Sequence, residues 1–247
     1  MSDIKNYWRR KVRKNDPYFK KQLEQPKYST VEFFKFLKKN NIEKSSIIDL
    51  ACGNGANLIY LKNNYRNNKE CLGVDFNKDL IKQAQKVSRN NLNLSFRKGN
   101  IENLPKNIRN KFEGVTCLQT LSWLKDYKKT LKEIKKLNTN FIAISSLFWE
   151  GLIDFNIKVN FLKSKSYKRE IDSYNYYNIY SLKNYLEFVK KLGYKKNIIK
   201  KFEIKKKIKE LKNKNKMGTF TIPYKKKLKQ ISGPIVQNWY FIISKKK

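Results

Sequence analysis

The strongest constraint in this sequence is a short apolar strand that runs directly into a glycine turn and then a helix. Ser46-Ile47-Ile48-Asp49-Leu50-Ala51 reads as the strand, Cys52-Gly53-Asn54-Gly55 as the turn, and Ala56 to about Asn63 as the helix. A brief apolar run bounded by turn residues fits a strand buried on both faces. The rhythm then repeats. Glu70–Asp75 is a second apolar strand, followed by an amphipathic helix over Asp79–Arg89 with Leu80, Ile81, Ala84 and Val87 inward. Leu92–Phe96 alternates as a third strand, Phe112–Leu118 makes a fourth, Trp123–Leu137 a helix and Phe141–Phe148 a fifth strand. Strands alternating with helices predict an α/β fold, a mostly parallel sheet covered on both faces.

Outside this stretch the pattern differs. Residues 1–45 predict an N-terminal helical segment: Tyr7–Lys14 is basic and aromatic, Asp16-Pro17 marks a turn, and Ser29 or Thr30 is placed to cap a helix over Val31–Lys39. Residues 46–247 predict one domain, with 149–180 and 205–234 as insertions. In the first insertion Ile153, Phe155, Ile157, Val159 and Phe161 alternate as a hairpin arm, and Tyr174, Tyr176, Tyr177 and Tyr180 follow. Ser181 caps a helix stopped by Gly193; Lys196–Ile208 and Asn238–Ser244 read as closing strands around a basic, turn-rich hairpin.

The site is read from what closes each strand. The turn at Gly53 and Gly55 leaves room for a ligand against the backbone. The glycine that a dinucleotide fingerprint wants three residues further on is Leu58, and a phosphate-loop Lys-Ser/Thr is missing. An acid, Asp49, closes the first strand instead, which suits a cationic ligand better than a pyrophosphate. Asp75 ends the second strand, placed to take two ribose hydroxyls on its two oxygens. Phe76 can cover an adenine face, Asn100 can accept from its exocyclic amine, and Ile101 adds apolar surface with a backbone N–H. Together these describe a site for a cationic adenosine ligand at the C-terminal ends of the strands.

These residues carry a family resemblance. Asp49–Gly55 resembles the first motif of the class I S-adenosylmethionine (SAM)-dependent methyltransferases, with Ala51 in place of its first glycine. Gly73-Val74-Asp75-Phe76 resembles the second motif, and Gly99-Asn100-Ile101 the third, with Asn where Asp is commoner. Gly114–Leu124 resembles the fourth strand and the loop beside the methionine end, where Gln119 lies. The resemblance implies SAM as cofactor and a Rossmann-like, seven-stranded sheet whose last strand runs antiparallel, a place that Asn238–Ser244 fits.

The acceptor is harder to read. The chain has no histidine, so the commonest general base is missing. Methyl transfer from a sulfonium is a direct displacement, in which alignment supplies most of the rate. Glu150 and Asp154, just past the fifth strand, are the best-placed carboxylates, and Trp123, Trp149 and Tyr177 are expected to wall the acceptor pocket. Strand four ends in Gln119-Thr120-Leu121 rather than Asn/Asp-Pro-Pro-Tyr/Phe, which counts against methylation of exocyclic base amines. The tail, Met217–Thr221, Ile231–Pro234 and Asn238–Phe241, is similar to methyltransferases of bacterial surface-polysaccharide clusters.

The formal charge of +37 bears on the same question. Only eight of the 57 basic residues are Arg, the side chain favoured for bidentate phosphate and base contacts. Lys, Asn and Ile dominate and share A/T-rich codons, so base composition accounts for the charge with only weak, non-specific nucleic-acid binding. Residues 151–247 nevertheless carry net +20 against +8 for 1–45 and +9 for 46–150, which suits an anionic partner. Three readings follow: a small-molecule or glycan (sugar or nucleotide-sugar) methyltransferase, an RNA or ribosomal-protein methyltransferase, and a non-catalytic SAM-binding subunit. Cys52, Cys71 and Cys117 form neither a disulfide framework nor a metal spacing. With no apolar run long enough to span a bilayer and no signal peptide in Met1–Lys14, a cytoplasmic chain is expected.

Overall fold

The computed structural model describes residues 17–163, 171–209, 219–232, 235–236 and 239–246. The segment Tyr7–Lys14 and the motifs at 217–218, 233–234 and 238 lie outside the described residues.

The repeating strand and helix signals become β1 (Ile47–Leu50), α3 (Ala56–Tyr65), β2 (Cys71–Asp75), α4 (Lys78–Val87), β3 (Leu94–Lys98), β4 (Gly114–Leu118), α5 (Tyr127–Lys136) and β5 (Phe141–Trp149), preceded by α1 (Pro17–Glu24) and α2 (Tyr28–Lys39). Then come β6 (Lys158–Leu162), β7 (Ile171–Tyr176), β8 (Tyr180–Ser181), α6 (Leu182–Lys191), β9 (Lys196–Phe202), β10 (Thr219–Tyr224), β11 (Lys227–Ser232), β12 (Ile235–Val236) and β13 (Trp239–Lys245). The main sheet has the order β3-β2-β1-β4-β5-β13-β9, with the two-residue β8 added beside the end of β5. Strands β1 to β5 pair in parallel, whereas β13 is antiparallel to both β5 and β9. This is the mixed, Rossmann-like α/β sheet expected, with the last strand of the chain as the reversed one.

Both faces are covered because β1 and β2, apolar except for Asp49 and Asp75, are buried along their whole length. One face packs Phe33, Phe34 and Leu37 of α2, Leu58 and Leu61 of α3, and Ile81 and Ala84 of α4 against Ile47, Phe141 and Phe241. The other packs Leu131 and Ile134 of α5 and Tyr185 and Val189 of α6 against Leu50, Val115, Ile144 and Ile242.

Several boundaries differ from the sequence expectation. Helix α2 starts at Tyr28 with no side-chain cap, because the hydroxyls expected to cap it serve tertiary contacts. Ser29 Oγ accepts from Gln119 Nε2 at 2.7 Å, and Thr30 Oγ1 donates to Asn57 Oδ1 at 3.0 Å. Helix α5 starts after Trp123, where Asp126 accepts from the Lys128 N–H at 2.9 Å; Leu121–Trp123 forms a 3-10 turn. Strand β4 begins at Gly114 rather than Phe112, and β9 ends at Phe202 rather than Ile208.

The first insertion pairs β6 with β7 in an antiparallel hairpin. It is fastened to the loop after β4 by the fully buried Asn178. The Asn178 backbone N–H donates to Ser122 O, its Nδ2 donates to Leu124 O, and its Oδ1 accepts from the Ile157 N–H, all within 2.9 Å. A separate three-stranded sheet, β10-β11-β12, takes up residues 219–232 of the second insertion and the two residues of β12 beyond it.

Candidate active site

The glycine turn sits where β1 hands over to α3, and its backbone fits the ligand role. Gly53 and Gly55 hold φ of +58° and +81°. Ala51, which stands where the family resemblance places glycine, also holds a left-handed φ of +57°. An alanine there stores strain of about 1 kcal/mol that glycine would relieve. The turn is braced by Asp75: Oδ2 accepts from the Gly53 N–H at 2.9 Å and Oδ1 from the Asn77 N–H at 2.8 Å. Burial raises the Asp75 carboxyl above its ordinary pKa, opposed by the hydrogen bonds from Asn77, Gly53 and Phe76.

Asp49 lies beneath the same turn, 1% exposed. Its Oδ1 accepts from Thr116 Oγ1 at 2.7 Å, whereas Oδ2 is buried without a hydrogen-bond partner among the described residues. Desolvation pushes its pKa up to about 7, against the Thr116 hydrogen bond and with help from the Asp75 charge. An orphaned buried carboxylate oxygen is costly unless something cationic completes it. The ammonium at the amino-acid end of SAM fits this requirement.

A pH dependence follows. Without ligand, Asp49 titrates near 7. A cationic ligand beside it favours the carboxylate and draws the pKa back down, so binding releases a proton. Affinity should therefore rise about tenfold from pH 6 to pH 8, then level off. Calorimetry in buffers of different ionisation enthalpy measures both terms; a pH-independent Kd would remove Asp49 from the site. For folding the sign is opposite. With the folded value raised from 3.8, this group's stability is present below that value and lost as pH rises through about 7.

The other predicted cofactor residues occupy the same rim. Phe76 follows Asp75 with its ring 39% exposed. Asn100 is exposed and its Oδ1 accepts from the Glu102 N–H at 3.0 Å, a local turn contact; Ile101 is buried behind it. Gln119 holds a φ of +55°, its N–H donates to Ser145 O, and its side chain meets the N-terminal segment: Lys27 Nζ donates to its Oε1 at 3.1 Å and its Nε2 donates to Ser29 Oγ.

Sequence reasoning missed that segment as part of the site. Asn54 Nδ2 donates to Phe19 O at 2.8 Å, and a Cβ added at Gly53 would meet the Phe19 ring at 3.4 Å. The only signal was local, a polar Asn inside a glycine turn.

The residues expected to serve the acceptor are more dispersed. Trp123 is half-buried and packs on Tyr177, ring centroids 4.9 Å apart. Tyr177 itself is 1% exposed, so it backs Trp123 instead of facing a pocket. Trp149 is 42% exposed and meets Phe155 edge-on. Glu150 turns toward the far side of β5: its Oε1 accepts from Lys201 Nζ on β9 at 2.9 Å and from Tyr240 Oη on β13 at 2.5 Å. Those bonds, Tyr240 first, hold its carboxyl below the usual range. Asp154 Oδ1 accepts from the Ser181 N–H at 2.6 Å at the start of α6. The structure therefore groups Asp49, Gly53, Gly55 and Asp75 around one turn, places Gln119 just past β4 against the N-terminal segment, and leaves both Glu150 and Asp154 in other contacts.

Fold and site together give an α/β domain with a glycine turn and two buried acids at its strand ends, arranged as in the class I SAM-dependent methyltransferases. A family model described as a methyltransferase domain matches residues 42–237, so this chain belongs to that family and is a SAM-dependent methyltransferase. No curated protein matches the sequence. Among solved structures, it is similar to the N-terminal domain of EvdMO1, solved in the presence of SAH and D-fucose. There the identity is 11%, with 90% of this chain and 84% of that one covered at a TM-score of 0.57. A SAM-dependent methyltransferase of Thermotoga maritima, described as a possible histamine N-methyltransferase, is 13% identical over 94% of this chain and 95% of that one, TM-score 0.55. The YcgJ protein of Bacillus is 12% identical over 88% and 99%, TM-score 0.53. At these identities the likeness is one of fold. Among the described residues, no helix is long and apolar enough to cross a membrane.

Proposed function

We propose that the chain methylates a small-molecule or glycan acceptor, a sugar or nucleotide-sugar. The observation that carries this reading is the docking of the β6–β7 hairpin, through Asn178, on Ser122–Leu124. It sets a structured roof beside the end of β4, where an enzyme acting on a polynucleotide needs an open groove. The sugar in the EvdMO1 structure supports the same substrate class.

In this reading residues 46–247 are the catalytic domain, and 1–45 supplies helices that pack on it. Asp75 takes the ribose hydroxyls, Phe76 covers the adenine, and Asn100 and Ile101 meet its edge. Ala51, Gly53 and Gly55 line the turn, Asp49 takes the ammonium, and Gln119 borders the methionine end. Bound SAM supplies a methyl group on a cationic sulfur. Trp123 and Trp149 wall the acceptor, with Tyr177 behind Trp123.

Because Glu150 and Asp154 are held by Lys201, Tyr240 and Ser181, we propose that positioning, without a protein base, supports the transfer. The acceptor oxygen takes the methyl from the sulfonium, the neutral thioether leaves, and the acceptor's proton passes to solvent water. Glu150→Gln and Asp154→Asn should keep kcat within about fivefold. A fall of about 100-fold in either would identify a general base. The test of the substrate class is transfer of labelled methyl from SAM to a panel of sugars, nucleotide-sugars, RNA and ribosomal protein. Label in a sugar or nucleotide-sugar supports the proposal. Label confined to RNA or ribosomal protein favours the nucleic-acid reading, and no label anywhere favours a non-catalytic subunit.

A further inference from the structure

The donor site is bordered by a cation that its family motifs do not include. Lys27 lies between α1 and α2, outside the residues that the methyltransferase model matches. Its Nζ donates to Tyr18 Oη at 2.6 Å and to Gln119 Oε1 at 3.1 Å, and sits 4.8 Å from the centre of the Tyr18 ring. Both hydrogen-bond partners are neutral. Holding a long side chain between the N-terminal segment and the end of β4 costs rotamer entropy, and among the described residues its charge meets only these two neutral acceptors.

The opposite charge stands beside the same turn. Thr116, on β4, fixes Asp49 with its Oδ2 buried and unpartnered, and Gln119, at the end of the same strand, holds Lys27. A site offering a lone carboxylate oxygen and an ammonium held, among the described residues, only by neutral groups is complementary to a ligand end bearing both charges. An α-amino acid is such an end, its ammonium for Asp49 and its carboxylate for Lys27. The N-terminal segment is held over the site independently by Phe19 O on Asn54, Ser29 on Gln119 and Thr30 on Asn57. Lys27 therefore arrives on an element anchored at three other points.

Resting on the SAM reading above, we infer that Lys27 is the residue that binds the donor's α-carboxylate. The N-terminal helices thereby select a donor that carries this group. The cation recognises a carboxylate through a charge-assisted hydrogen bond, so its loss is felt only by ligands that possess one.

The experiment is a calorimetric comparison of SAM with decarboxylated SAM on the full chain and on Lys27→Met. The wild type should bind SAM about tenfold or more tighter than the decarboxylated form. Lys27→Met should weaken SAM by a similar factor while holding decarboxylated SAM within about twofold, so the preference collapses. If Lys27→Met weakens both ligands equally, the side chain only anchors the N-terminal segment and the inference is overturned; unchanged SAM affinity overturns it as well. A wild-type chain that binds neither ligand removes the donor reading itself, and this inference with it.

Discussion

Replacing Asp75 with alanine is expected to weaken SAM binding about 30-fold or more, from the loss of two charge-assisted hydrogen bonds worth roughly 2–4 kcal/mol. The structure adds a second source for the loss. The same carboxylate holds the Gly53 and Asn77 N–H groups, so alanine frees the turn as well as the ribose. Asp75→Asn keeps the shape and one acceptor oxygen, and should fall between wild type and alanine. Calorimetric titration with SAM measures both. Equal affinity in wild type and Asp75→Ala would place the ribose elsewhere.

The second large effect is on stability. A Cβ at Gly55 would lie 2.4 Å from the Phe96 ring and 3.2 Å from Ala84 Cβ, on a backbone with φ +81°. Phe96, on β3, is buried in the core shared with α4 and cannot swing into solvent. Overpacking and left-handed strain together should cost about 3 kcal/mol in Gly55→Ala. For a chain of this size that lowers Tm by about 6–12 °C. A melting point within about 2 °C of wild type would mean that the turn tolerates a side chain, and that neither Phe96 nor the left-handed φ is what requires glycine.

The frame of the fold was legible because its signals are local. Ile47–Leu50 and Cys71–Asp75 are apolar and short, each ends in or next to an acid, and each hands over to a helix, so strand, turn and ligand end can be read within a dozen residues. The reversed final strand was legible only through the family resemblance, since nothing in Trp239–Lys245 itself says which way it runs.

What could not be read depends on partners distant in sequence. Glu150 stands just past β5, but its direction is decided by Lys201 and Tyr240, on strands that arrive 51 and 90 residues later. Tyr177 follows the alternation of Tyr174 and Tyr176, yet the chain turns inward after β7 and buries it against Trp123. Lys27 had no local distinction among so many lysines; only its contact with Gln119, 92 residues away, singles it out. Ser29 and Thr30 look like helix caps by type, and the tertiary partners that claim them lie just past β4 and on α3.

A crystal structure of the chain with SAH bound tests the central claim most directly. The ribose hydroxyls should lie on the Asp75 carboxylate, the adenine against Phe76, and the amino-acid end between Asp49 and Gln119, at the C-terminal ends of β1, β2 and β4. SAH bound away from those strand ends, or no SAH in crystals grown at saturating concentration, would contradict it.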